Sequence, residues 1–159
     1  MKVSKNIFNK KNTIFNIKDF QKENKTKKKK YNFSFYVRSK EYKTKTIFIL
    51  YGKHYSKNVI NTWNRWIKQK YKKAIHESFH IHNKQKKLKK YDKVSIKYIV
   101  CNPRSRDDDA NYETLKFVRD AIVNINVIND DNRNIVLKTT EKEKITKNYK
   151  IFIILTKES

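Results

Sequence analysis

Glycine and proline are nearly missing from this chain of 159 residues, with one of each, Gly52 and Pro103. That excludes collagen-like and low-complexity linker chains, which are built from those residues. A single cysteine, Cys101, leaves no partner for an intrachain disulfide, and a reducing cytoplasm fits that. Long apolar runs are missing too. The longest, Ile151–Leu155, is far too short to span a bilayer, and the N-terminus lacks the apolar stretch of a signal peptide. The expectation is a soluble cytoplasmic protein with no membrane partner and no small-molecule cofactor. Acid is also scarce: 15 Asp and Glu stand against 40 Lys and Arg, giving +25 at pH 7.

A charge of that size says nothing about fold, but it points to a polyanionic partner. Nucleic acid leads, because Lys and Arg gain affinity by displacing condensed counterions. An anionic membrane surface ranks lower, since no long amphipathic basic helix stands apart from the core pattern. The length suggests one domain, and 13% aromatic residues in periodic clusters argue for a folded one.

Residues 1–30 look like a basic arm. They hold eleven Lys against Asp19 and Glu23, for a net +9. A domain is expected over 31–159. Tyr31–Arg38 alternates like a strand, and Thr46–Tyr51 is rich in strand formers. Ser56 is a candidate N-cap for a helix through about Phe79, with Val59, Trp63, Trp66, Ile67, Tyr71, Ala74 and Ile75 on its apolar face. Lys84–Lys90 reads as a basic loop, Tyr91–Cys101 as a strand and Asn102–Arg106 as a basic turn. Ala110–Asn126 reads as a second helix buried along Leu115, Val118, Ile122 and Ile125. Ile135–Thr140 and Tyr149–Thr156 complete the strands, joined by a charged loop, Glu141–Asn148. The order β-β-α-β-α-β-β predicts an α+β domain with two main helices against a mixed or antiparallel sheet.

The acids are not spread evenly. Seven of the 15 fall between Asp107 and Asp131, opposed only by Lys116 and Arg119, so this stretch carries −5 inside a cationic chain. On a helix turning about 100° per residue, Asp109, Glu113, Lys116 and Asp120 share one side, away from the apolar stripe. Asp107 and Asp109 sit at its N-terminal mouth, and Asp130 and Asp131 follow its end. Converging carboxylates repel unless a cation or protons intervene. Mg²⁺ is the natural cation, being hard and oxygen-seeking. It acidifies water for attack on a phosphodiester and neutralises charge on the phosphoryl oxygens. The blander explanations are a helix dipole favouring Asp107–Asp109, a polar turn at Asp130–Asn132 and an exposed charge set at Glu113, Lys116 and Asp120.

At these residues the chain resembles the RusA family of Holliday junction resolvases, small dimeric nucleases mostly of phages and prophages. Its pattern is a basic turn, Asp-x-Asp-Asn, a Lys, Asp-Ala-Leu four residues on, and Asp-Asp about ten beyond. Here the stretch runs from Pro103 through Arg106, Asp107 and Asp109 to Lys116, then Asp120-Ala-Ile, then Asp130-Asp131. The resemblance covers about residues 94–156 and is faint upstream. It implies Mg²⁺-dependent cutting of four-way DNA junctions by a homodimer in a bacterial host, with Mn²⁺ able to substitute. It assigns catalysis to Asp107, Asp109, Lys116 and Asp131, with the three aspartates as metal ligands and Asp108, Asp120 and Asp130 as alternates or supports. Arg104, Arg106, Lys57, Arg65, Lys68 and Lys72 are the candidate DNA contacts.

Two departures stand out. Ala110 occupies the motif's Asn position and Asn111 follows one place late, so a second register, with Asp108 as first ligand, stays open. The family's glycine before Asp-Asp is also absent, and Asn126 is the candidate turn residue. A non-catalytic basic binder, or a nuclease for other branched DNA, are the competing readings. Elsewhere, His76, His80 and His82 have metal-like spacing but sit at an expected helix end. Trp63 and Trp66 are expected in the core, and Cys101 on a buried strand position.

Overall fold

The computed structural model describes residues 31–159, so the arm expected over 1–30 lies outside the described residues. In chain order the elements are β1 (Tyr36–Glu41), β2 (Lys45–Tyr51), α1 (Lys57–Asn61), α2 (Arg65–Gln85), β3 (Val94–Asn102), α3 (Tyr112–Asn124), β4 (Val136–Ile145) and β5 (Lys150–Lys157). This is an α+β fold. Its five strands form one mixed sheet in the order β1-β2-β5-β3-β4. The β3–β4 pair is parallel, which the crossover through α3 requires, and the other pairings are antiparallel.

The expected helix over 56–79 is two helices. Ser56 caps the first, and Asn64 caps the second by accepting from the Ile67 N–H at 3.0 Å. Two N-caps eight residues apart start two helices, and the break changes which side chains face inward. Trp63 is buried, but Trp66 is 79% exposed and Val59 42%. The buried side of α2 runs through Tyr71, Ile75, Ser78 and Phe79, and the helix continues six residues past the expected end into the basic stretch.

The first strand also starts later than its alternation suggested. Phe33 and Phe35 pack on Tyr71 of α2, with ring centroids 5.0 and 5.7 Å away, and Phe33 also meets Trp63 at 5.2 Å. The lone glycine sits where this segment passes closest. Gly52 has φ +139, and a side chain there would lie 2.5 Å from the Ser34 carbonyl oxygen.

Alternation along β2, β3 and β5 sends Phe48, Leu50, Ile96, Tyr98, Val100, Ile151, Ile153 and Leu155 beneath the helices, where each is essentially fully buried. The Phe48 and Phe79 rings are 5.8 Å apart there. Truncating a buried Phe such as Phe79 to Ala would cost about 3–5 kcal/mol. The stripe expected on α3 is buried as read: Leu115, Val118, Ile122 and Ile125. Asn126 takes φ 56 and turns the chain after the helix, the role the missing glycine would have had. The segment expected as a charged loop after Thr140 is instead β4, continuing to Ile145 along the sheet edge. No helix among the described residues is long and apolar enough to cross a membrane.

Candidate active site

Strand β3 ends at Asn102, and the chain then loops over the end of the sheet before entering α3. The Ala110 N–H donates to the Asp107 carbonyl at 2.9 Å and the Tyr112 N–H to the Asp109 carbonyl at 3.2 Å. These turns leave the side chains of Asp107, Asp108 and Asp109 exposed. Ala110 is buried, and its carbonyl accepts from the Lys57 N–H of α1 at 2.6 Å. A methyl group therefore fills the position where the resemblance calls for an asparagine amide. Helix α3 begins at Tyr112, two residues later than expected, so Asp109 precedes it and does not share its polar side with Glu113 and Asp120.

Asn111, one place later, is buried and makes two bridges. Its Nδ2 donates to Glu141 Oε1 at 2.9 Å, and its Oδ1 accepts from Arg106 Nη1 at 3.2 Å. The network extends further. Arg106 Nη2 donates to the His54 carbonyl at 3.1 Å, and the Arg106 backbone N–H donates to Glu143 Oε1 at 3.1 Å. Asn102 Nδ2 donates to the other Glu143 oxygen at 3.3 Å, while Asn102 Oδ1 pairs with His54 Nε2. Burial, and then the Arg106 guanidinium, push the His54 imidazole down to about 4, so it is neutral at pH 7 and donates to Asn102. This chain of amides, imidazole and guanidinium fixes two β4 glutamates against the loop. It also turns Arg106 inward, away from the phosphate contact expected of it.

Glu141 and Glu143 lie on the helix side of β4 because they pair with Tyr98 and Val100, whose side chains face the helices. Two cavities open beside them. One, of about 330 Å³, is lined by Lys116, Arg119, Asp131, Glu141, Tyr98 and Tyr112 among others. The second, of about 400 Å³, is lined by Asp107, Asp108, Asn111, Glu141, Glu143 and Arg106 with Ser105. Glu141 lines both, so they adjoin along the strand. In the first, Tyr98 Oη and Arg119 Nε are buried without a well-formed hydrogen bond. Burial pushes the Tyr98 phenol up, against the charge of the Arg119 guanidinium and a weak hydrogen bond with it, which both lower it.

The expected site residues therefore divide. Lys116 and Asp131 share one cavity, and Asp107 and Asp108 share its neighbour. Asp109 turns away to pair with Lys57 at 2.8 Å, and Asp120 pairs with Lys72 at 2.8 Å. Asp130 stabilises its own turn, accepting from the Asp131 N–H at 2.7 Å and from Asn132 Nδ2 at 2.8 Å. Those ion pairs also occupy two of the expected DNA contacts, while Arg65 and Arg104 stay exposed and Lys68 half-exposed. The histidines serve separate contacts: His76 Nδ1 with Asn124 and His82 Nε2 with Ser39. Cys101 is buried on β3, as expected.

The sequence reading missed Glu141 and Glu143. Their signal was the Glu-Lys-Glu-Lys alternation over residues 141–144, which has the period of a strand.

The cleft's donors are carboxylate oxygens, the chemistry Mg²⁺ takes. As they stand, no three His, Cys, Asp or Glu side chains among the described residues gather closely enough to hold a metal ion. The fit is one of donor type and neighbourhood, not of a closed ligand set. No model of a known protein family matches the chain, and no curated protein matches it significantly.

Proposed function

We infer that the chain is a Mg²⁺-dependent endodeoxyribonuclease for branched DNA, with four-way junctions as the leading substrate. The observation that carries this is the cleft along β4. There Asp131, Glu141, Asp107 and Asp108 line adjoining cavities, beside Lys116, Arg119 and Tyr98. Carboxylates alone would repel a phosphodiester. Carboxylates beside cationic donors, in a chain of +25, suit a phosphodiester together with a divalent ion. The resemblance of residues 94–156 to the junction resolvases points the same way. It brings the further proposals of a homodimer, with one cleft per opposed strand, and of a cytoplasmic location in a bacterial host.

Asp131, Glu141 and Asp107 are the residues that would hold the ion. When bound, Mg²⁺ supplies charge neutralisation at the phosphoryl oxygens and acidifies water. The protein's own groups do the rest. Lys116 offers a mobile point charge to the phosphate, and the Arg119 guanidinium offers further donors beside it. Asn111 and Asn102 each donate to one of the two glutamates and so fix the orientation of their carboxylates. Exposed Arg104 and Arg65 bring in the backbone.

A non-catalytic nucleic-acid binder is the competing reading. Ala110 in the asparagine position and the unclosed ligand set favour it. Incubating the full chain with a labelled four-way junction and a linear duplex of the same sequence separates the two. The nuclease cuts the junction in Mg²⁺, stops in chelator and spares the duplex. A binder retains the junction and releases no product in Mg²⁺ or Mn²⁺.

A further inference from the structure

We propose that the open face of the sheet, opposite the helices and the cleft, binds single-stranded DNA. The register places side chains on that face in rows. One row runs Arg38, Ile49, Phe152, Ile99, Lys142, and the next Tyr36, Tyr51, Lys150, Cys101, Lys144, where Cys101 itself is covered by its neighbours and buried. Among the described residues no helix lies across these rows, and Ile49, Phe152 and Ile99 keep partial exposure while their inward neighbours have none. The face has an apolar row through Ile49, Phe152 and Ile99, with Lys97 and Lys150 to either side of it and cations at both sheet edges. The strands contain three acids, Glu41, Glu141 and Glu143, and all three lie on the helix side. One carboxylate reaches the end of the open face: Glu158, just past β5, accepts from Ser95 Oγ there.

Its aromatics are interleaved with cations. The Tyr36 and Tyr51 rings stack 4.5 Å apart and 7° from parallel, with the Arg38 guanidinium 5.9 Å from each. Lys150 Nζ lies 5.4 Å from the Phe152 ring centroid. Tyr36 is 53% exposed. A flat ring beside a cation suits a base on the ring and its phosphate on the cation, whatever the base.

Charge selects the occupant. A second copy packed face to face would set lysine edges against lysine edges, which is costly. A duplex offers phosphates but keeps its base faces stacked. An unpaired strand offers both. This surface is separate from the proposed cleft and does not depend on catalysis.

The test is fluorescence anisotropy of a labelled thymidine oligonucleotide with the full chain, in chelator and at several salt concentrations. Lys142→Glu with Lys144→Glu should weaken binding at least about tenfold and lower the salt slope by about 1.4 or more, at roughly 0.7 for each phosphate no longer neutralised. Tyr36→Ala should weaken it about fivefold or more. Binding is read in chelator, where no cutting is needed, so failure of the nuclease reading leaves this result standing. In the wild-type chain, bound oligonucleotide should protect Lys142 and Lys144 from amine labelling, a readout that needs no variant to fold. Wild-type affinity in the Lys142/Lys144 double variant, or unprotected lysines, overturns the proposal. So does a change of sedimentation state in the variants with unchanged affinity per protomer, which would make the face a self-interface. Tighter binding of the wild-type chain to an RNA oligomer or to phosphatidylserine vesicles overturns it as well.

Discussion

The two sides of β4 carry opposite charge. Toward the helices the strand presents Glu141 and Glu143, tied to Asn111, Asn102 and the Arg106 backbone. Toward the open face it presents Lys142 and Lys144, exposed at the sheet edge. Adjacent residues on a strand point to opposite faces, so a run that averages to little net charge becomes two surfaces of opposite sign. Net charge brings a polyanion to the molecule, and this sorting decides what each face does with it. An edge strand also tolerates such charge, which discourages pairing with other chains.

The predictions test that division of labour. Glu141→Gln keeps the shape of the side chain and its bond from Asn111 but removes the charge. If the helix side is the cutting side, junction cleavage in Mg²⁺ should fall about a hundredfold or more, with wild-type affinity for single strands. Equal loss of both would erase the distinction between the faces. Lys116→Ala should lower the cleavage rate about tenfold to a hundredfold with little change in melting temperature, since the side chain is exposed on α3.

His54 tests the scaffold beneath the cleft. Its pKa lies near 4 when folded against 6.5 for the free side chain. The unfolded chain therefore takes up the proton first as pH falls, and stability drops between about 6.5 and 4. Urea melts should show about 3 kcal/mol lost through this group between pH 7 and pH 4, since each tenfold drop in proton affinity is worth about 1.4 kcal/mol. His54→Gln keeps an amide donor for Asn102 and should flatten that part of the profile. An unchanged profile would mean the imidazole is not held neutral in the fold.

The smallest effect is expected at Asp109. Its pair with Lys57 is largely exposed and holds its carboxyl below the usual range, through the Lys57 hydrogen bond first. Asp109→Asn should leave cleavage within about threefold of wild type and stability nearly unchanged, as for most exposed pairs. A hundredfold loss would return Asp109 to the ligand set and favour the Asp107/Asp109 register.

Periodicity made much of the fold legible. The α3 stripe, the alternating strands and the caps at Ser56 and Asn126 were readable because each rests on local geometry. Less was readable where one local signal competed with another. Asn64 caps a new helix inside an apolar pattern that looked continuous, and the shift in phase put Trp66 outside. Phe33 and Phe35 alternate like a strand, yet they pack on Tyr71 from a long way off in sequence. The candidate site was half readable. An acidic segment was visible as a charge anomaly, and its Asp131 and Lys116 share a cavity. Its partners on β4 were hidden because Lys-Glu alternation looks like solvated loop when sheet pairing is unknown. Nor could spacing alone show that Lys57 and Lys72 draw Asp109 and Asp120 aside, since those pairs join residues 52 and 48 apart in sequence.

The most direct measurement is the Mg²⁺-dependent rate of four-way junction cleavage by Asp131→Asn beside wild type, at matched protein and saturating DNA. Wild type should cut, and the variant should bind the junction equally well but cut at least about a hundredfold more slowly. A variant that cuts as fast as wild type, or a wild type that never cuts, would contradict this.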